Sequence, residues 1–232
     1  VSGCLICDPR IVNNPEPIKT ITYRELRELA YMGATVLHED AIFPVRAAGI
    51  PVNIKNTNQP EDRGTMIVSE SAEHCDHIIT GIAGKKGMSV INIEKDKMNS
   101  EIGFGKNVLR ALEKSNVSFE HMPSGVDTMS VVIATEALAG KETAIIDEIK
   151  SRVHPDQIYI ESNLALIAVV GRGMKSARGT AAILFSALAD ARVNIKMIDQ
   201  GSSELNIIVG VEEEDFEVAI KAIYKRFIGI NQ

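Results

Sequence analysis

Met88-Ser-Val-Ile-Asn-Ile93 and Leu164-Ala-Leu-Ile-Ala-Val169 stand 76 positions apart, and sliding the chain on itself by that offset aligns much more than these two runs. Met98 falls on Met174, Ser100 on Ser176 and Gly103 on Gly179. Val108, Leu109 and Leu112 fall on Leu184, Phe185 and Leu188, Val117 on Val193, Gly125 on Gly201, and Val131-Val-Ile133 on Ile207-Ile-Val209. Glycines and apolar positions recurring together without a gap point to one structural unit present twice.

The period of each segment gives the unit its order. The first apolar run is a strand; Phe104, Val108, Leu109 and Leu112 then mark one face of a helix, as Ile183, Leu184, Ala187, Leu188 and Ala191 do in the second copy. A short strand follows, then a turn at Gly125 or Gly201, then a strand of alternating apolar residues such as Met129, Val131 and Ile133. A closing helix is marked by Ile145, Ile146, Ile149 and Val153 in one copy and by Phe216, Ala219, Ile220, Ile223 and Phe227 in the other. One further strand per copy, Gln157–Glu161 for the first and Ile78–Ile82 for the second, completes βαββαβ twice over. The predicted class is α+β, with two ferredoxin-like units in tandem.

Residues 1–68 have no repeat partner. They contain the turn Asp8-Pro9-Arg10 and the capping-box pair Thr22 and Glu25, followed by an amphipathic helix marked by Leu26, Leu29, Ala30 and Gly33. A polar loop from Lys55 to Arg63 precedes a strand at Thr65–Val68. This reads as the end of a larger domain, and the expected division is 1–68, 69–162 and 163–232, with a strand at 77–84 completing the last unit.

Composition narrows the function. The 232 residues carry 25 Lys and Arg against 31 Asp and Glu, a net charge of −6, and 4% aromatic residues with no Trp. That balance argues against a nucleic-acid or anionic-membrane partner. The longest apolar run, Leu164–Val170, is far short of the roughly 20 residues that span a bilayer, and Val1 onward shows no signal-peptide pattern, so a cytoplasmic protein is expected. Cys4 and Cys7 form a CxxC, but only His74, Cys75 and His77 offer further zinc ligands, in one run rather than a second pair, so inert thiols and no metal site are expected. Gly171-Arg-Gly173 leads to Ser176 where a dinucleotide loop needs its third glycine. His38, His74, His77, His121 and His154 are scattered, with no nucleophile elbow around any serine.

One chemistry does fit the repeat. A helix starting after each first strand offers free N–H groups, and glycine there lets a carboxylate approach the backbone, so Gly103-Phe104-Gly105 and Gly179-Thr180-Ala181 are candidate carboxylate cradles. An amino acid's ammonium group needs acceptors. Glu120, Ser124 and Asp127 in one copy, and Asp199, Gln200, Ser203 and Glu204 in the other, stand on the adjoining strand and turn. The competing interpretation is that the glycines only punctuate loop-to-helix junctions.

The segments Cys7-Asp8-Pro9-Arg10-Ile-Val12, Ile21-Thr-Tyr-Arg-Glu25-Leu-Arg-Glu-Leu-Ala30, Met32-Gly-Ala-Thr-Val-Leu-His38, Ile50-Pro-Val-Asn-Ile-Lys-Asn-Thr57 and Gly64-Thr-Met-Ile67 resemble, in order and spacing, the last part of an aspartate kinase catalytic domain, an α/β amino-acid-kinase fold. The tandem repeat, with Gly173-Met174, Gly179, Val193-Asn194-Ile195-Lys-Met197 and Ser202-Ser203-Glu204-Leu-Asn-Ile207, resembles the paired ACT modules of that family. The resemblance implies transfer of the ATP γ-phosphoryl group to the β-carboxylate of L-aspartate, with Mg2+, on the route to lysine, threonine and methionine. The family's KFGGTS start does not occur in this sequence, so the chain alone is expected to be inactive and to carry no catalytic residue. It implies nucleotide contacts at Asp8, Arg10, Thr35 and Val36, although Thr35 stands where many members have lysine and Glu39 where proline is common. It implies effector contacts at Met98, Ser100, Glu101, Gly103, Phe104, Gly105, Phe119, Glu120, Ser124, Gly125 and Asp127 in one copy, and at Gly179, Thr180, Ala181, Asn194, Ile195 and Ser203 in the other. Lysine is the first expected effector, because Glu101, Glu120 and Asp127 offer carboxylates to two ammonium groups, and threonine is the next. The expected partners are the N-terminal catalytic part of the same enzyme and a second copy of the chain, since unpaired strand edges favour at least a dimer. A stand-alone ACT amino-acid sensor acting on a separate protein is the alternative, and the absence of a reason for such a sensor to keep Asp8-Pro9-Arg10 and Gly33–His38 weighs against it.

Overall fold

Thr22 begins the first helix as its spacing predicts: its backbone is extended, its hydroxyl accepts from the Glu25 amide, and the Glu25 side chain returns to the Thr22 amide. The computed structural model describes residues 2–34, 39–70 and 77–229. They form two bodies, Val1–Lys85 with Leu166–Gln232, and Lys86–Ala165.

In the first body, β1 (Thr20–Thr22) leads into α1 (Tyr23–Tyr31), followed by α2 (Glu39–Ala47), β2 (Val52–Ile54) and β3 (Thr65–Val68). β3 is the centre of a three-stranded sheet, parallel to β1 and antiparallel to β2. Leu26 and Leu29 bury one face of α1, which is the stripe their spacing gives.

β4 (Gly81–Glu94) and β6 (Gln157–Val170) are each 14 residues long and supply strands to both bodies. The runs expected as separate strands at 157–161 and 164–169 are therefore halves of one continuous strand, and the run at 88–93 shares β4 with only the last two residues of the run expected at 78–82. Gly84-Lys85-Lys86-Gly87 interrupts the apolar pattern without interrupting the strand, and residues 77–80 precede it as bends rather than belonging to it.

The body Lys86–Ala165 has the order β4, α3 (Phe104–Lys114), β5 (Thr128–Ala134), α4 (Thr135–Leu138), α5 (Glu142–Val153) and β6. β5 pairs antiparallel with β4, from Met88 opposite Ala134 to Glu94 opposite Thr128. Ile91, Ile93, Val131 and Ile133 face Phe104, Val108, Leu112, Ile145 and Ile149, and all of them are buried. The short strand expected before Gly125 survives as two isolated bridges, His121 with Val132 and Ser124 with Met129. Pro123 lies between them and has no N–H for a ladder.

The second copy has its first strand in Leu166–Val170 of β6, then α6 (Thr180–Asp190), β7 (Met197–Asp199), β8 (Asn206–Glu212) and α7 (Phe216–Phe227). β8 lies between β6 and β7, and the Thr80 amide donates to the Val170 carbonyl at 2.7 Å where the chain enters β4. Leu184, Leu188, Ile207, Val209, Ile220 and Ile223 form its core. α3 and α6 begin 76 positions apart and have the same 11-residue length, so the offset read from sequence is the offset of the helices.

Candidate functional site: the helix starts of the repeat

Gly103 caps α3 with φ 85° and ψ 8°, and Gly179 caps α6 with φ 84° and ψ 5°. This left-handed conformation costs an L side chain roughly 1–2 kcal/mol, which accounts for glycine at both positions. A Cβ on either would meet nothing within 4 Å, so the space in front of each helix start is open. The Gly103 carbonyl accepts from the Asn107 amide and the Gly179 carbonyl from the Ile183 amide, each at 3.0 Å. At the start of α3 the Phe104 amide donates to the Glu101 carbonyl at 3.3 Å, which leaves the Gly105 and Lys106 amides of the first turn without an intrahelical acceptor.

In the first copy, a clasp surrounds this start. The Lys95 ammonium pairs with the Glu101 carboxylate, donates to the Val153 carbonyl at the end of α5 at 2.6 Å, and lies 5.8 Å from the centre of the Phe104 ring. The Asp127 carboxylate accepts from the Lys97 amide at 2.8 Å, and the Val126 carbonyl from the Asn99 amide at 3.1 Å. Ser100 closes on the Lys97 carbonyl at 2.8 Å. Residues 95–101 and 125–127 are therefore tied to each other, with buried Met98 beneath them.

Glu101 consequently has its charge met within the chain, and Asp127 holds a backbone amide. Gly105 lies against Met129, with 3.6 Å to the methionine methyl from a built Cβ. Phe119 and Glu120 are held on the neighbouring strand end, where the Glu120 amide donates to the Val132 carbonyl at 2.8 Å. Phe119 lines an open cleft of about 560 Å³ on the side of α3, together with Lys106, Leu109, Arg110, Val117 and Ser118. Gly125 closes a turn on Thr128 at 2.7 Å, and exposed Ser124 reaches the Met122 carbonyl at 3.4 Å.

In the second copy, Thr180 is buried and donates to the Ala177 carbonyl at 2.9 Å, and Met174 is buried as Met98 is. Asn194 and Ser203 are exposed and Ala181 and Ile195 half-buried. Here the residues expected to act together lie on separate loops, without the Lys95–Glu101 and Lys97–Asp127 ties of the first copy.

The family model described as the ACT domain matches residues 167–227, and that of the amino acid kinase family matches residues 1–56. Aspartokinase 3 of Bacillus subtilis is 43% identical over 221 residues, which are 95% of this chain and 48% of that protein. The crystal structure of Clostridium acetobutylicum aspartate kinase, described as an allosteric enzyme, is 58% identical and superposes with a TM-score of 0.93 over 98% of this chain and 52% of that one. The chain belongs to the aspartokinase family. It spans about half the length of the aspartokinases it matches. Escherichia coli aspartokinase III, solved with lysine and aspartate, shares the fold at 23% identity with a TM-score of 0.79, over 98% of this chain and 50% of that one.

Other expected positions fall as follows. Asp8 and Arg10 pair with each other in the N-terminal segment: the guanidinium reaches both carboxylate oxygens at 2.7–3.1 Å and the Arg10 amide adds a bond at 2.8 Å. The Arg10 hydrogen bonds hold the Asp8 carboxyl below the usual range. Thr35 and Val36 lie outside the described residues, as do His38, His74 and Cys75. Cys4 and Cys7 are buried, and burial pushes the Cys7 thiol up to about 11, so it is a protonated, unreactive group at neutral pH. Among the described residues no helix is long and apolar enough to cross a membrane.

Lys95 was not singled out from the sequence. It stands in a loop, six residues from Glu101, where no helical or strand period signals a pair.

Proposed function

We propose that this chain is the effector-binding part of an aspartokinase. The complete enzyme phosphorylates the β-carboxylate of L-aspartate with ATP and Mg2+, and an end-product amino acid, lysine or threonine or both, controls it by binding at the repeat. The observation that carries this reading is the open helix start at Gly103, framed by the clasp of residues 95–101 and 125–127. The Gly105 and Lys106 amides receive the α-carboxylate, and Glu120 with the neighbouring carbonyls receives ammonium. The lysine held by the E. coli structure is in keeping with this chemistry.

Regulation follows from linkage: an amino acid that binds one arrangement of the repeats more tightly shifts the enzyme toward it, and kinase activity follows. Pairing with a second copy through the repeats, nucleotide contacts at Asp8 and Arg10, and a cytoplasmic location complete the proposal. The chain by itself is expected not to phosphorylate aspartate.

Calorimetric titration of the full-length protein with lysine, threonine and both together tests it. Saturable binding that is lost in Gly103→Val and weakened in Glu120→Ala supports the site. Absence of binding with every combination removes it.

A further inference from the structure

Glu25, read from sequence as half of a capping box, and Arg172, read as the middle of a failed dinucleotide loop, meet in the structure. Glu25 is 0% exposed. One carboxylate oxygen accepts from the Thr22 amide at 2.9 Å, the Thr22 hydroxyl at 2.7 Å and the Arg172 guanidinium at 2.8 Å. The other accepts from the Thr80 hydroxyl at 2.6 Å and the Arg172 amide at 2.8 Å. A capping box requires only the Thr22 contacts. The remaining donors come from residues 55 and 147 positions away, on the strand approach and the first loop of the second copy.

The glycines flanking Arg172 have a place in this arrangement. A Cβ on Gly171 would lie 2.7 Å from the Ile79 Cα and 2.8 Å from the Thr80 amide, and one on Gly173 would lie 2.6 Å from the Ile78 carbonyl. Only a residue without a side chain lets the loop lie flat on the Ile78–Thr80 backbone, and that seating aims the Arg172 amide and guanidinium at Glu25 together. The same loop runs on through Met174 to Gly179, the start of α6. Further ties follow the same seam: the Ile82 amide to the Ile6 carbonyl at 2.7 Å, Asn206 to Glu28 at 2.6 Å, the Glu16 amide to the Tyr224 hydroxyl at 2.9 Å, and Lys85 4.4 Å over the Tyr31 ring. Of these only the Glu25–Arg172 tie places a carboxylate wholly out of water.

We propose that the Glu25–Arg172 pair is a positioning joint through which the state of the second repeat's first loop reaches α1 and the kinase-like segment. Apolar surfaces slide past one another at small cost. A buried carboxylate held by directional donors on two sides does not, because separating the pair strands a charge away from water. A shift of Gly171–Gly179 therefore either carries α1 with it or breaks the pair, a two-position device of the kind coupling requires. The regulatory half of this proposal rests on the effector reading above.

The test uses the full-length enzyme with Glu25→Gln, Arg172→Gln and Arg172→Lys. Gln also suits the third position of a capping box, so Glu25→Gln removes the charge while keeping the helix start. Amide hydrogen exchange decides the joint whether or not any amino acid binds. Glu25→Gln should raise exchange at least tenfold in both Tyr23–Tyr31 and Arg172–Ile183, Arg172→Gln should do the same, and Arg172→Lys should restore part of the protection. Loosening confined to the substituted element overturns the joint. If lysine or threonine binds the wild type, the variants should bind it within twofold of wild type yet need at least fivefold more of it for half-inhibition of kinase activity. Equal shifts in binding and inhibition, or none in either, overturn the coupling role. If the wild type binds neither, the effector reading falls, and the exchange result alone judges the joint.

Discussion

The two copies of the repeat begin their helices on the same backbone and use the loop before them in opposite ways. In the first, Lys95–Lys97 turns inward: Lys95 pairs with Glu101 and caps α5 at Val153, Asp96 takes the Asp156 carboxylate, and Lys97 takes that of Asp127. In the second, the matching Gly171–Gly173 turns outward, and Arg172 is spent on Glu25. The strand, the helix start and the buried methionine are common property of the unit. What differs is the cation: Lys95 in the first loop ties the unit to itself, and Arg172 in the second grips α1.

The largest effect should come from breaking the outward grip. Arg172→Met leaves Glu25 buried without its cationic partner and should lower unfolding free energy by about 3–5 kcal/mol. Glu25→Gln with Arg172→Met should recover part of this, with a coupling energy of about 1–3 kcal/mol in a double-mutant cycle followed by urea denaturation. Additive losses would mean that the two residues do not act as a pair.

The inward clasp should be weaker. Lys95 and Glu101 remain 21% and 35% exposed, so solvent screens them, and Lys95→Met should cost only about 1 kcal/mol while weakening amino-acid binding more than it weakens the fold. A melting curve and a titration on the same variant separate the two. A loss as large as that of Arg172→Met would erase the contrast between the loops.

The grip also carries a pH dependence. Burial raises the Glu25 carboxyl, but the Thr80 hydroxyl, the Thr22 and Arg172 amides and the Thr22 hydroxyl more than reverse this and leave it below its ordinary 4.5. A carboxyl depressed in the folded state gives stability that is complete at neutral pH and is lost as pH falls from about 4.5 through the depressed folded value. Glu25→Gln should therefore flatten the acid limb of the stability profile, read as denaturation midpoints across that range, and an unchanged limb would contradict the assignment.

One stability effect should be shared by the two copies. Gly103→Ala and Gly179→Ala meet open space but not an allowed backbone, and each should cost roughly 1–2 kcal/mol by thermal unfolding. Equal cost with unequal loss of amino-acid affinity, greater at Gly103, is the sharpest form of the comparison.

Much of this was legible in the sequence because it depended on period. The 76-residue offset located α3 and α6, the Thr22–Glu25 pair located the start of α1, and the apolar run at Thr65–Val68 became β3. The merging of short apolar runs into β4 and β6 was not legible, since the polar residues between them face the same way on paper as a loop would. Nor was the second role of Glu25. A capping box reads identically whether its glutamate is exposed or enclosed, and Arg172 lies 147 positions away in a loop that no helical or strand period links to Glu25. Pairings across loops, Lys95 with Glu101 among them, leave no period behind.

The central claim is that the first turn of α3 receives an amino acid. Amide exchange of Gly105 and Lys106 in the full-length protein, with and without saturating lysine and threonine, tests it most directly. Exchange at these two amides should slow on addition of the effector, and Gly103→Val should abolish the slowing. Unchanged exchange there in the presence of a bound amino acid would contradict it.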